Sequence, residues 1–212
     1  MQLSTNDYER VTSFLKSHSG EEIAHVNGKL LSHLDGTFDL LQRWGNPVHL
    51  CLAGLCHAVY GTTDFKASLV DVSLRSELLT LIGPKAEGLV YFFASCDRPH
   101  LYPQIGRSSP VRFRDRFSGE VFVPDSSLFS SFLELTFANE LEIARSNVGF
   151  VESTRSPFEP LFKRCQGLVS EGAYAYFVHV FRVNQLNLNQ DEDSHPKAHW
   201  LQRARIARLR LR

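Results

Sequence analysis

Two histidines are the residues whose type and spacing most plainly offer chemistry. His33 lies in Ser32-His33-Leu34-Asp35-Gly36-Thr37. His57 lies 24 positions later, in Ala53-Gly54-Leu55-Cys56-His57-Ala58-Val59-Tyr60-Gly61-Thr62. An imidazole between Leu55 and Val59, at the end of an apolar run, is partly desolvated, which suits a neutral metal ligand or a proton-transfer group. Thr37 follows His33 by four residues and shares its helix face, and Tyr60 follows His57 closely. Each histidine taken alone also fits a core position, with both ring nitrogens satisfied by backbone or hydroxyl groups.

The elements that must position these residues are helical. Asn6 to Ser17 places Tyr8, Val11, Phe14 and Leu15 on one face. Glu21 to Arg43 reads as one or two helices, with Ile23, Val26, Leu30, Leu34, Phe38 and Leu41 at three- and four-residue spacing. Gly45-Asn46-Pro47 stops one helix and starts another. Val48 to Tyr60 is apolar nearly all round and therefore buried. Leu74–Leu81 and Lys85–Ser95 form two further helices divided by Gly83-Pro84. Val111 to Val123 changes to the alternation of a short hairpin. Asp125 or Ser126 caps the helix Leu128 to Arg145, and Pro157 to Arg212 reads as two or three helices with a polar break at Asn187–Ser194.

The two histidines, the Trp44-Gly45-Asn46-Pro47 turn between them and the run Ala53-Gly54-Leu55-Cys56-His57-Ala58 resemble the HD superfamily of metal hydrolases. The nearest pattern is the hydrolase domain of the alarmone (guanosine tetraphosphate) synthetase/hydrolases. Leu81-Ile82-Gly83-Pro84-Lys85-Ala86-Glu87-Gly88-Leu89-Val90 is similar to that family's helix after the His-Asp pair. Phe137-Ala138-Asn139-Glu140-Leu141-Glu142 resembles its late Asp-bearing segment. The likeness spans residues 21–145.

The departures carry as much information as the matches. The Asp of the His-Asp pair is here Ala58, the late Asp is Asn139, and the Glu-Asp pair that activates water is Gly61-Thr62. Hard divalent ions favour carboxylate oxygens, so the family's ordinary ion should bind weakly and alarmone hydrolysis by its mechanism should fail. A divalent metal (iron, zinc or manganese) would need His33 and His57 supplemented by Asp97 and by Glu140, with His100 as a further imidazole. Against this, Asp97-Arg98 reads as a local ion pair and Glu140 as solvated. The metal-free alternative is a pocket of His33, Thr37, His57, Tyr60, Thr62 and Asn139, a set suited to proton transfer, isomerisation or cyclisation of a small organic substrate.

The rest of the chain narrows the class. There are 23 basic and 23 acidic residues, so a broad electrostatic grip on nucleic acid is not expected. No apolar run approaches the length of a membrane span, the first ten residues lack the pattern of a signal peptide, and the four cysteines form no CxxC pair. These features point to a cytoplasmic protein with reduced thiols. The tail Trp200–Arg212, with Arg203, Arg205, Arg208, Arg210 and Arg212 among apolar residues, reads as a terminal helix with a solvated basic face. Arg112, Arg114 and Arg116 alternate along the hairpin as a half-exposed strand or an anion-binding strip.

The expectation is a single mainly α, HD-like helical domain over 1–212. It has a core at 21–145, one short β-hairpin and a C-terminal helical extension at 146–212. It should act as a small-molecule enzyme centred on His33 and His57, a hydrolase or oxygenase if a metal is retained and an acid–base catalyst if not, with a non-catalytic ligand- or protein-binding module as the alternative.

Overall fold

The computed structural model describes residues 5–18, 22–25, 28–146 and 158–194. The fold is mainly helical. In chain order it runs α1 (Thr5–Ser17), β1 (Ala24–His25), β2 (Gly28–Lys29), α2 (Leu30–Arg43), α3 (Val48–Cys56), α4 (Arg75–Ser95), α5 (Arg98–Leu101), β3 (Phe113–Arg114), β4 (Val121–Phe122), α6 (Ser126–Ser146), α7 (158–164) and α8 (Glu171–Ser194). Each strand pair is antiparallel, with Ala24 opposite Lys29 and Phe113 opposite Phe122.

Helices α2, α3 and α6 form the centre, and each owes its place to its residue pattern. Leu30, Leu34, Leu41 and Leu55 are fully buried between α2 and α3. Their close approach depends on Gly54, because a Cβ there would collide with the Leu41 side chain. On α6, Phe132, Leu135, Ala138 and Leu141 recur at three-residue spacing and are all buried. Asp125 accepts hydrogen bonds from the Ser127 and Leu128 amides, which caps this helix as its sequence requires. Phe92, Phe113 and Phe132 tie α4 and the β3–β4 hairpin to α6, with ring centroids of Phe92 and Phe113 4.0 Å apart.

Three expectations need correction. Glu21–Arg43 is not helical throughout, since Ala24–His25 pairs as a strand with Gly28–Lys29 and α2 begins only at Leu30. The buried helix ends at Cys56 rather than Tyr60, leaving His57 as its C-cap and a turn over 57–60. The polar stretch Asn187–Ser194 does not break α8, which continues to Ser194. The division at Gly83-Pro84 is present as a kink, where Gly83 adopts φ 79 and ψ 165 inside α4. The basic tail Trp200–Arg212 and the Ser19-Gly20 break lie outside the described residues. No helix among the described residues is long and apolar enough to cross a membrane.

Candidate functional site

His33 projects from α2 and His57 from the end of α3, and the two Nε2 atoms lie 3.2 Å apart. Both rings are almost fully buried. Asn139, on α6, brings its Oδ1 to 3.0 Å from His33 Nε2. Three residues separated by up to 106 positions therefore converge on one point.

The outer nitrogens fix how each ring is used. His57 Nδ1 donates to the Gly54 carbonyl at 2.7 Å, which leaves its Nε2 as an acceptor. Burial, reinforced by the nearby His33, holds the His57 imidazole well below its ordinary pKa, so it is neutral. His33 Nδ1 donates to Glu142 Oε2, on the same face of α6 as Asn139. Asn139 Nδ2 donates to Glu140 Oε1 at 2.9 Å, which orients its Oδ1 toward His33. His33 Nε2 thus faces two acceptors while Nδ1 faces a carboxylate. A proton on each of its nitrogens would satisfy all three contacts. In that state the ring pairs as an imidazolium with the Glu142 carboxylate and shares its inner proton between Asn139 and His57.

Room for Glu142 is made by a missing side chain. A Cβ on Gly36 would stand 2.7 Å from Glu142 Cγ and 2.8 Å from its Oε1. Arg145 holds the other carboxylate oxygen at 3.3 Å.

A cavity of about 200 Å³ opens beside His57 and Asn139. Ala58, where the resemblance places the HD aspartate, lines this cavity, as do Thr62, Glu140 and Arg98. Arg98 Nη1 donates to Asp64 Oδ2 at 2.6 Å and lies 4.0 Å from Glu140 Oε1. Burial pushes the Glu140 carboxyl above its ordinary range, with Arg98 opposing the shift. His25, from β1, lines the cavity and stacks on His33, with ring centroids 4.1 Å apart at 13°. Burial lowers its pKa to about 4, again assisted by His33. The tight turn Thr62–Phe65, closed by the Thr62 amide on the Phe65 carbonyl and the Phe65 amide on Thr62 Oγ1, sets Asp64 against Arg98 and Phe65 against His25.

Three sequence candidates lie elsewhere. Tyr60 is buried, but its hydroxyl donates to Glu87, which Arg75 binds through two hydrogen bonds. Thr37 Oγ1 donates to the His33 carbonyl within α2 and does not border the cavity. Asp97 caps α5 through the His100 amide and faces Arg114, so the local Asp97-Arg98 pair is replaced by Arg98 with Asp64. Glu140, read as solvated, is buried at the cavity wall. His25, Arg98, Asp64 and Glu142 were not legible as site residues. Only Glu142 carried a signal, its three-residue offset from Asn139.

The divalent ion that the HD resemblance implies does not fit these residues. The inner donors are two imidazoles and one amide oxygen, with no carboxylate directed at the shared point. Among the described residues no three His, Cys, Asp or Glu side chains are grouped to hold a metal ion. Hard ions require oxygen anions, and catalytic zinc takes three strong protein ligands.

Comparison with known proteins agrees with the architecture. A family model described as a domain of unknown function (DUF6817) matches residues 14–98, less than half of the chain. No curated protein matches the chain. Among solved structures, a metazoan ortholog of SpoT, described as hydrolysing ppGpp, is similar with a TM-score of 0.53 and 14% identity. The match covers 86% of this chain and 97% of that one. At this identity the likeness concerns the fold, which is HD-like.

Proposed function

We propose that this protein is a metal-free acid–base enzyme acting on a small organic molecule, with the His33–His57 pair as its proton-transfer centre. The single observation carrying this reading is the 3.2 Å approach of two Nε2 atoms, one backed by Glu142 and the other by the Gly54 carbonyl. A proton satisfies that arrangement without any anionic inner ligand. His57 is the base and His33 the acid. A substrate oxygen entering beside Asn139 replaces one of the two acceptors on His33 Nε2 and takes a hydrogen bond or proton from it. His57 Nε2, released from His33, then accepts a proton from the substrate. Glu142 stabilises the positive charge on His33 and fixes its ring, as a carboxylate does behind many catalytic imidazoles.

Such positioned transfer contributes roughly 10²–10⁴ in rate. The test is exchange of carbon-bound hydrogen for deuterium in D₂O, followed by mass spectrometry over a panel of small ketones, lactones and hydroxy ketones. The expected result is exchange of at least one compound by the unmodified protein and its loss, by about 10²-fold or more, in His57→Ala and His33→Ala. Exchange that persists in both variants, or depends on added metal, contradicts the proposal.

A further inference from the structure

Two of the residues lining the cavity beside His57 carry a buried nitrogen that no group among the described residues satisfies, Arg98 Nε and His25 Nδ1. Arg98 is only 7% exposed. A buried guanidinium N–H without an acceptor is costly and rare, so an acceptor supplied from the cavity has a clear place to bind.

Charge restricts what that acceptor can be. The Arg98 guanidinium is already committed to Asp64 at 2.6 Å and stands 4.0 Å from Glu140. The two histidines on the wall are held neutral by burial. One cation thus faces two carboxylates, leaving no surplus positive charge for an anionic ligand. Size restricts it further. A cavity of about 200 Å³ lies below the roughly 300–1,000 Å³ of drug-sized pockets and suits a molecule of about ten non-hydrogen atoms. Phe65, Ile143 and Phe158 give the remaining wall an apolar character.

We infer that the cavity takes a small uncharged molecule with an apolar body and a carbonyl or hydroxyl oxygen, anchored by Arg98 Nε and met on its other side by His25 Nδ1. This deepens the acid–base reading, on which it rests for the assignment of the cavity as the substrate chamber. Polyphosphorylated nucleotides are excluded by both volume and charge.

A matched pair of probes of equal shape, cyclohexanecarboxamide and cyclohexanecarboxylate, tests the inference on the full chain by ligand-observed NMR titration. The expected result is binding of the carboxamide about tenfold or more tighter than the carboxylate, which meets Glu140 and Asp64 as like charges. Arg98→Lys keeps the positive charge and removes the Nε–H, and it should weaken carboxamide binding about tenfold. His25→Leu, with folding of both variants checked by circular dichroism, should weaken it as well, and it serves alone if Arg98→Lys does not fold. Equal or tighter carboxylate binding, binding of neither probe, or unchanged affinity in a folded variant overturns the inference. Carboxamide binding without deuterium exchange on any compound strikes the acid–base reading alone. Exchange confined to anionic compounds strikes this inference alone.

Discussion

His33 differs from an ordinary core histidine because both of its nitrogens are committed to groups from another helix, Glu142 on one side and Asn139 on the other, with His57 completing the inner contact. At this scale the carboxylates that the HD resemblance implies can be introduced in one place and not in another. Ala58 and Asn139 both border the cavity, so Ala58→Asp with Asn139→Asp adds two oxygen anions beside two imidazoles. This double variant should acquire a manganese-dependent, chelator-reversible rise in melting temperature that the unmodified protein lacks, as mass action requires for a ligand that binds only the folded state. An equal rise in the unmodified protein would mean that its own donors already hold the ion. Gly61 behaves differently. Its φ of 66 is left-handed, and a Cβ would meet the Ala67 and Phe65 carbonyl oxygens at 3.1 Å. Gly61→Glu should therefore destabilise the fold by about 1–3 kcal/mol in denaturant titration rather than rebuild a water-activating acid.

At the scale of elements, the site depends on how closely α2 approaches α3 and α6. Gly36 leaves the space that the Glu142 carboxylate occupies, so Gly36→Ala must displace that carboxylate from His33. The expected outcome is a folded protein with at least about tenfold less exchange activity, checked by circular dichroism alongside the D₂O assay. Full activity would show that Glu142 is dispensable. This coupling also marks the limit of what the sequence made legible. The apolar stripes of α2, α3 and α6 announced three buried helices, and the His33–His57 spacing announced that two of them meet. The absence of a Cβ opposite a carboxylate 106 positions later, Gly36 against Glu142, has no periodic signature. The β1–β2 hairpin was missed because Ile23 and Val26 continue the helical spacing of α2, while Gly28, at φ 134, imposes a conformation that helix cannot accept. Arg98 was assigned to its sequence neighbour Asp97. The turn Thr62–Phe65 instead brings it Asp64, a partner 34 positions away.

Across the whole molecule, burial of neutral imidazoles links the site to stability. The folded pKa of His25 is about 4, below the ordinary value of about 6.5. Between these values the unfolded chain binds more protons at this residue than the folded one, so stability rises with pH through the window and is lost as pH falls from about 6.5 to 4. His57, also lowered, acts in the same direction, and Glu140, whose carboxyl is raised, acts in the opposite one. His25→Asn should therefore flatten the dependence of unfolding free energy on pH between about 4 and 6.5, measured by urea titration at each pH. An unchanged slope would place the titration in other groups. On the proposed reading, two imidazoles and a shared proton occupy the region of the HD-like fold where the family resemblance implies carboxylates and an ion.

The proposed proton-transfer centre places a proton on each nitrogen of His33, between α2, α3 and α6. Long-range ¹H–¹⁵N correlation of the histidine rings at neutral pH reads it directly. The expected spectrum shows two protonated nitrogens on His33 and, on His57, a protonated Nδ1 with a bare Nε2, and a chelator leaves it unchanged. A bare Nε2 on both rings, with shifts that move when metal is removed, would contradict it.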